Sequence, residues 1–434
     1  MGTSRYYFRL IKAFISRFKL VILLSVFLGA GLFLLLNVVI PRLVNSKVEK
    51  IAVVGRYTTT QIPFSILSHI GEGLTHMDSH GIPQPALAKS WETTDNGKTW
   101  KFELVDGKVW QDGTPVTSQS IQYSFENVEI QTPDPKTIIF KLIDPFSPFP
   151  TVVSKPTFKK GLLGSGKWKV TNITLSGGVV SQLRLSNAEG HTKLFRFYPT
   201  QERAKLGFKL GHVDQIIDLV DAEPFSDWPS VEVISDVNEK RFVAVFFNLN
   251  NEAVGEKTSR QALSYAIDKT KMPGVRAISN IWPGSWAYNG QTKPYDFDQE
   301  RAKELLEGKT FSISLATTPL LLEVAEQVAQ DWRQIGVDTT VQVVSTIPAD
   351  YQAYLAIYDV PTDPDQYATW HSTQNETNIT HYKNPRVDTL LEEGRQELNL
   401  DNRKKIYLDF QRFLLEDSPL VILYHPYSYN IIRK

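Results

Sequence analysis

An α/β protein in two halves, preceded by one membrane-spanning helix, is the fold class that the 434-residue sequence predicts. Three observations carry it. Leu20–Ile40 is a run of 21 residues without a charge, about the length that a helix rising ~1.5 Å per residue needs to cross a bilayer. The first half is cut into short apolar runs by turn signals such as Asp106-Gly107 and Asp112-Gly113, the pattern of antiparallel strands. In the second half, Phe311 to Ser345 reads strand, helix, strand, a βαβ unit that implies a parallel sheet covered by helices.

Hydrophobic residues make up 42% and charged residues 22% of the chain, the balance of a globular protein. Lys plus Arg equals Asp plus Glu at 47 each, so no net field draws the chain to nucleic acid. The chain has no cysteine, which excludes thiol catalysis, thiolate metal sites, disulfides and lipid attachment through cysteine.

Along the chain, Arg5, Arg9, Lys12, Arg17 and Lys19 precede the apolar run without one acid. Residues 1–19 are therefore expected as a cytoplasmic arm, 20–41 as the anchor, and everything after Pro41 outside the membrane. A cleaved signal peptide would have a shorter apolar core and an A-x-A site, so an uncleaved anchor is expected. "IAVVG" (51–55) reads as a buried strand, and Trp100, Phe102 and Leu104 alternate as an antiparallel one. Thr117 or Ser118 is placed to cap a helix carrying Ile121 and Phe125 on one face. "TIIFKLI", "KWKVTNITL", "VVSQLRLS" and "TKLFRFY" read as further strands, and Trp91, Trp100 and Trp110 as their packing.

"RQALSYAIDK" is helical by its spacing, and Leu321 to Ile335 recurs at three- and four-residue intervals until Gly336 stops it. Asn384-Pro385 sets a cap and a first-turn proline, Asp401 is placed to cap another helix, and "PLVILYHPY" reads as a last strand.

Enzyme signatures are missing. Neither H-E-x-x-H nor G-x-S-x-G occurs. "GLLGSGKWK" has P-loop spacing, but Trp168 stands where a Ser or Thr should bind magnesium, so a glycine turn leading into a strand is expected. The eight histidines are scattered, and the Asp363/Asp365 pair has the form of a D-P-D turn, so neither a catalytic residue nor a metal ligand is assigned.

Four stretches together resemble the extracytoplasmic solute-binding proteins of family 5, the peptide and nickel receptors of ABC importers. They are "PALAKSWETTDNGKTWKFELVDGKVWQDGTPVTSQSIQYSF", "GEKTSRQALSYAIDK", "WPGSWAYN" and the run from Ile379 to His425, in the family's order. The resemblance implies a two-lobe periplasmic-binding-protein-like clamshell of type II. Lobe I would comprise 45–248 completed by 416–434, and lobe II 249–415. It implies no enzyme activity and no cofactor, and a monomer that passes a peptide or another small solute to an ABC permease. The stretch from about Asn127 to Phe225 is shorter than usual in the family, and a membrane helix replaces the lipid-bearing cysteine.

Residues 356–374, "AIYDVPTDPDQYATWHSTQ", resemble the family's cleft-facing strand and loop. The resemblance makes Asp359 the match for the aspartate that holds a peptide's ammonium, with Asp363 and Asp365 as the alternatives. Tyrosine and tryptophan offer large apolar area with a polar tip, which suits walls that are wet when empty and buried when full. Trp370 and His371 are expected as such walls, with Trp286, Tyr57 and Thr58 facing them. A sugar, a metal chelate, or a sensor or scaffold role without transport are the competing readings.

Overall fold

The computed structural model describes residues 3–34 and 48–434. Helix α1 (Thr3–Leu34) contains one span, Phe14–Leu34, long and apolar enough to cross a membrane, with none of it buried against the protein. Residues 35–41 of the expected anchor lie outside the described residues.

The first half begins with β1 (Val48–Val54), whose Ile51, Ala52 and Val53 are buried, and α2 (Phe64–Ile70). A small hairpin, β2 (Thr75–Met77) with β3 (Pro83–Pro85), leads into β4 (Ala88–Glu92), β5 (Thr99–Leu104), β6 (Val128–Asp134) and β7 (Thr137–Leu142). These last four form an antiparallel sheet in the order β4-β5-β7-β6. The expected alternation holds: Trp100, Phe102 and Leu104 point inward and pack with Trp110, Phe140 and Phe149, while Trp91 lies against the same cluster. Asn96 and Gly97 have φ of 56° and 89°, the left-handed backbone that the Asp-Asn-Gly turn requires. The helix expected after Thr117 is a single turn, Ser118–Ser120. Ile121 is extended, and the Tyr123 hydroxyl reaches the carbonyl of Val153 at 2.8 Å, so tertiary contacts override the local periodicity.

After α3 (Phe149–Val152), the glycine-rich stretch turns at Gly161 and enters β8 (Lys169–Ser176), as its reading as a turn predicts. Gly164 is required there, because a Cβ would stand 2.1 Å from the carbonyl oxygen of Ile70. Strands β9 (Val179–Ser186) and β10 (Thr192–Tyr198), helix α4 (Gln201–Lys209), β11 (Gln215–Leu219) and β12 (Val231–Val237) follow. β10 and β11 flank β1 in parallel.

The second half opens with β13 (Arg241–Phe247), buried from Phe242 onward, then α5 (Glu252–Gly255), α6 (Lys257–Ala266), β14 (Gly274–Arg276) and α7 (Gln299–Leu306). The βαβ unit is β15 (Ser312–Thr317), α8 (Leu322–Gln334) and β16 (Asp338–Val343), with β15 and β16 parallel. β17 (Ala353–Asp359), α9 (Tyr367–Trp370), α10 (Pro385–Gln396), α11 (Leu400–Asp417) and β18 (Leu420–Arg433) complete it. Asn384 caps α10 as expected, but α11 is capped by Asn399, leaving Asp401 in its first turn.

One strand joins the halves. β18 pairs with β13 through Leu420–Tyr424 and with β12 through Tyr427–Arg433, so a single 12-stranded sheet has ten strands in the order β16-β15-β17-β13-β18-β11-β1-β10-β9-β8, with β12 and β14 also paired to β18. The chain passes between the two cores at 238–240 and 425–426, where Asn238 N donates to Pro426 O at 2.9 Å and the His425 ring meets Arg241 O at 2.7 Å. β13 is apolar on both faces and pairs along its whole length with β17, which ties it to the second core.

Trp332 anchors that core: fully buried, it donates from Nε1 to Leu263 O at 3.0 Å and stacks with Phe247 at 6.2 Å. Trp332→Ala should destabilise the full chain in detergent by about 3–5 kcal/mol, read from the urea midpoint by fluorescence.

Candidate functional site

In each half, the parallel strands end at the same gap. Val54 and Leu219 close β1 and β11 on one side, and Thr317 and Asp359 close β15 and β17 on the other. Open α/β sheets offer their ligand sites outside such carboxyl ends. The groove here has a volume of about 910 Å3, within the size range of small-molecule sites. Val54 and Thr200 line it from the first half, Thr318 and Ile357 from the second, and Tyr424, Tyr427 and Tyr429 from β18.

Two strand edges border this groove unpaired. β15 accompanies β17 only from Ala353 to Leu355, leaving Ala356–Asp359 without a strand on that side. β11 accompanies β1 only at Ile51 and Ala52, leaving Val53 and Val54 likewise. Such edges carry backbone donors and acceptors without a strand partner; on the β1 edge, the Tyr57 hydroxyl donates to Val54 O at 2.9 Å.

A charged cluster sits at the end of the groove. On the β13–β17 ladder, Val243 pairs with Ile357, both groove-lining, and Arg241 pairs with Asp359 two rungs beyond, on the same face. Arg241 Nε donates to Asp359 Oδ1 at 2.5 Å, and Nη1 donates to Asp218 Oδ1 and Oδ2 at 2.9 and 2.8 Å. Ser428 Oγ donates to Asp218 at 2.9 Å. Burial alone would lower the Arg241 pKa, but Asp359 and Asp218 reverse that and leave it raised. Asp218 has φ of 57° within a bulge of the β11–β18 pairing, a strained conformation for a residue with a side chain. Tyr57 is half-buried and donates to Val54 O at 2.9 Å. Its pKa is raised by burial and then by Asp218. Thr58 hydrogen-bonds Thr60 at 3.0 Å.

The other expected residues serve the scaffold. Asp363 is buried and held at both oxygens by Arg403, at 2.6 and 2.9 Å. Burial would lower the Arg403 pKa, and Asp363 raises it above its ordinary value. Asp365 lies 3.2 Å from Arg395 Nε without hydrogen-bond alignment, and burial raises its pKa against the pull of that arginine. Trp370 is 1% exposed, donates to Gln366 at 2.9 Å and stacks on Phe246, so it is core and lines no groove described here. His371 is buried between Thr373 at 2.8 Å and Glu392 at 3.1 Å, with Tyr367 stacked at 4.1 Å.

Trp286 lies against the turn of the β2–β3 hairpin, its backbone N–H donating to His80 O at 3.0 Å. Elsewhere between the halves, Ser147 N donates to Arg395 O at 2.6 Å. The rings of the 351–371 region therefore mostly satisfy their polar tips inside the second half; Tyr358, for instance, shares a 2.9 Å hydrogen bond with Thr369. Arg241 and Asp218 were not anticipated. The available signal was an isolated charge in each of two otherwise apolar strands, "RFVAVFF" and "QIIDL".

Residues 83–378 match the family described as bacterial extracellular solute-binding proteins, family 5 Middle. The chain is 22% identical over 405 residues to a probable D,D-dipeptide-binding periplasmic protein of Escherichia coli K12, covering 78% of each. It is 21% identical over 444 residues to the dipeptide-binding protein of the same organism, covering 81% of this chain and 82% of that one. Among solved structures, NikZ from Campylobacter jejuni in complex with Ni(L-His) superposes with a TM-score of 0.73 at 21% identity, over 89% of this chain and 94% of that one. The substrate-binding protein CtaP from Listeria monocytogenes gives a TM-score of 0.74 at 20% identity over the same shares.

The geometry separates scaffold from site. Asp363→Ala should cost about 3–5 kcal/mol of stability by leaving the Arg403 charge buried and unpaired. Asp359→Asn, at an exposed carboxylate, should leave the urea midpoint at the wild-type value.

Proposed function

Because the chain belongs to family 5 of the bacterial extracellular solute-binding proteins, we propose that it is a membrane-tethered receptor that captures peptides between its two halves and presents them to an ABC permease, without catalysing a reaction. The observation that carries the peptide reading is the unpaired strand edge on one wall of the groove, Ala356–Asp359 of β17; on the opposite wall the Tyr57 hydroxyl occupies Val54 O of β1. An extended peptide laid along that edge gains main-chain hydrogen bonds, the economy of strand addition. Such bonds are indifferent to side chains, which a peptide scavenger needs.

The two lobes of this receptor are taken as 48–237 with 427–434, and 241–424, following the strand pairing. Asp359 holds the ligand's ammonium, as a buried or half-buried cation requires a partner. Tyr57 and the three tyrosines of β18 supply apolar contact with polar tips. Helix α1 holds the receptor, a monomer, within reach of its permease.

Mass spectrometry of the small molecules that co-purify with the full chain in detergent tests the ligand class. Peptides with free amines are expected. Recovery of sugars or of metal–histidine chelates in their place would overturn the peptide reading. In the same preparation, α1 should remain attached, with Edman sequencing starting at the N-terminal arm; a mature N-terminus beyond Pro41 would show a cleaved signal.

A further inference from the structure

We infer that Arg241 is a specificity-determining residue, and that Arg241 and Asp359 together read an α-aminoacyl head: an ammonium and a carbonyl or carboxylate group attached to one carbon. The inference rests on the groove being the ligand site. Its origin is the hydrogen bonds that the pair leaves unmade. Arg241 uses Nε for Asp359 and Nη1 for Asp218, and among the described residues Nη2 has no partner. Asp359 accepts through Oδ1 alone, and its Oδ2 has none. The Asp359 side chain is 77% exposed and that of Arg241 28%.

A free donor and a free acceptor thus stand side by side on one rung of the β13–β17 ladder, two rungs from the pair Val243 and Ile357 that lines the groove, and on the same face. An ammonium fits Oδ2, and an oxygen two bonds from that nitrogen's carbon fits Nη2. A simple amine satisfies only the first, and an N-acylated peptide only the second. The guanidinium is held in place by Asp218, whose left-handed backbone turns its carboxylate toward Arg241 rather than along the strand. Removing Arg241 should therefore change which ligands are told apart, and not only how tightly they bind.

An unblocked peptide N-terminus and a free amino acid share this chemistry, and titration calorimetry on the full chain in detergent distinguishes them. The probes are trialanine, L-alanine, N-acetyl-trialanine, and a trialanine isostere with an (E)-alkene in place of the first peptide bond. Wild type should prefer trialanine or L-alanine to the acetylated and the alkene probes by at least about tenfold each. Arg241→Gln should abolish the preference over the alkene and keep that over the acetylated peptide, with Arg241→Lys partly restoring the first. Asp359→Asn should do the reverse. If Arg241→Gln weakens trialanine and its alkene isostere by the same factor, or neither, Arg241 is a structural brace and the inference fails while the peptide reading stands. If wild type binds none of the four probes and releases no peptide on denaturation, the peptide reading fails and this inference with it.

Discussion

The architecture depends on one strand that joins both halves into a single sheet. β18 is fourteen residues long, and its first part is bonded to β13 and its last part to β12 and β11. A strand cannot be cut without exposing backbone donors and acceptors, each of which costs on the order of 1–3 kcal/mol when buried without a partner. The two halves are therefore joined at the crossing, and they meet again where Trp286 N donates to His80 O and Ser147 N to Arg395 O. The second crossing, at 238–240, lies beside the first, so the two segments act as a pair rather than as independent linkers.

From this constraint the site follows. Parallel strands hung on either side of β18 direct their carboxyl ends, with the loops and helix starts that follow them, into the gap between the halves. Arg241 heads the first strand of the second half, and Asp218 ends a strand of the first. Their ion pair thus spans the crossing, and Asp359 is drawn into it from β17. Ion pairs as exposed as these contribute little to stability, so their value lies in holding donors and acceptors in fixed directions at the end of the groove.

Much of the fold was legible because its signals are local. Alternation at Trp100, Phe102 and Leu104, helical spacing from Leu321 to Ile335 and the stop at Gly336 depend on neighbours in sequence, and the structure has them as expected. The site was less legible because its signals are not local. Asp363 reads as a turn former or a ligand-binding acid until Arg403, forty residues on, is seen to enclose it. Trp370 and His371 have the composition of a cleft wall, yet they pack against β13 and α10, partners that no window around residue 370 contains. Arg241 was passed over for the opposite reason: a single charge at the head of an apolar strand reads as solvated, and only the register of β13 against β17 and the bulge at Asp218 show what it faces.

In the receptor proposed above, the groove between the halves closes on its ligand. The chain has no cysteine, so nitroxide labels at Glu202→Cys and Glu323→Cys, exposed positions on opposite walls of the groove, would be the only ones present. Their separation, measured by double electron–electron resonance before and after adding the peptides eluted from the protein, should shorten and narrow in distribution. A distance that stays the same while those peptides bind would contradict the account.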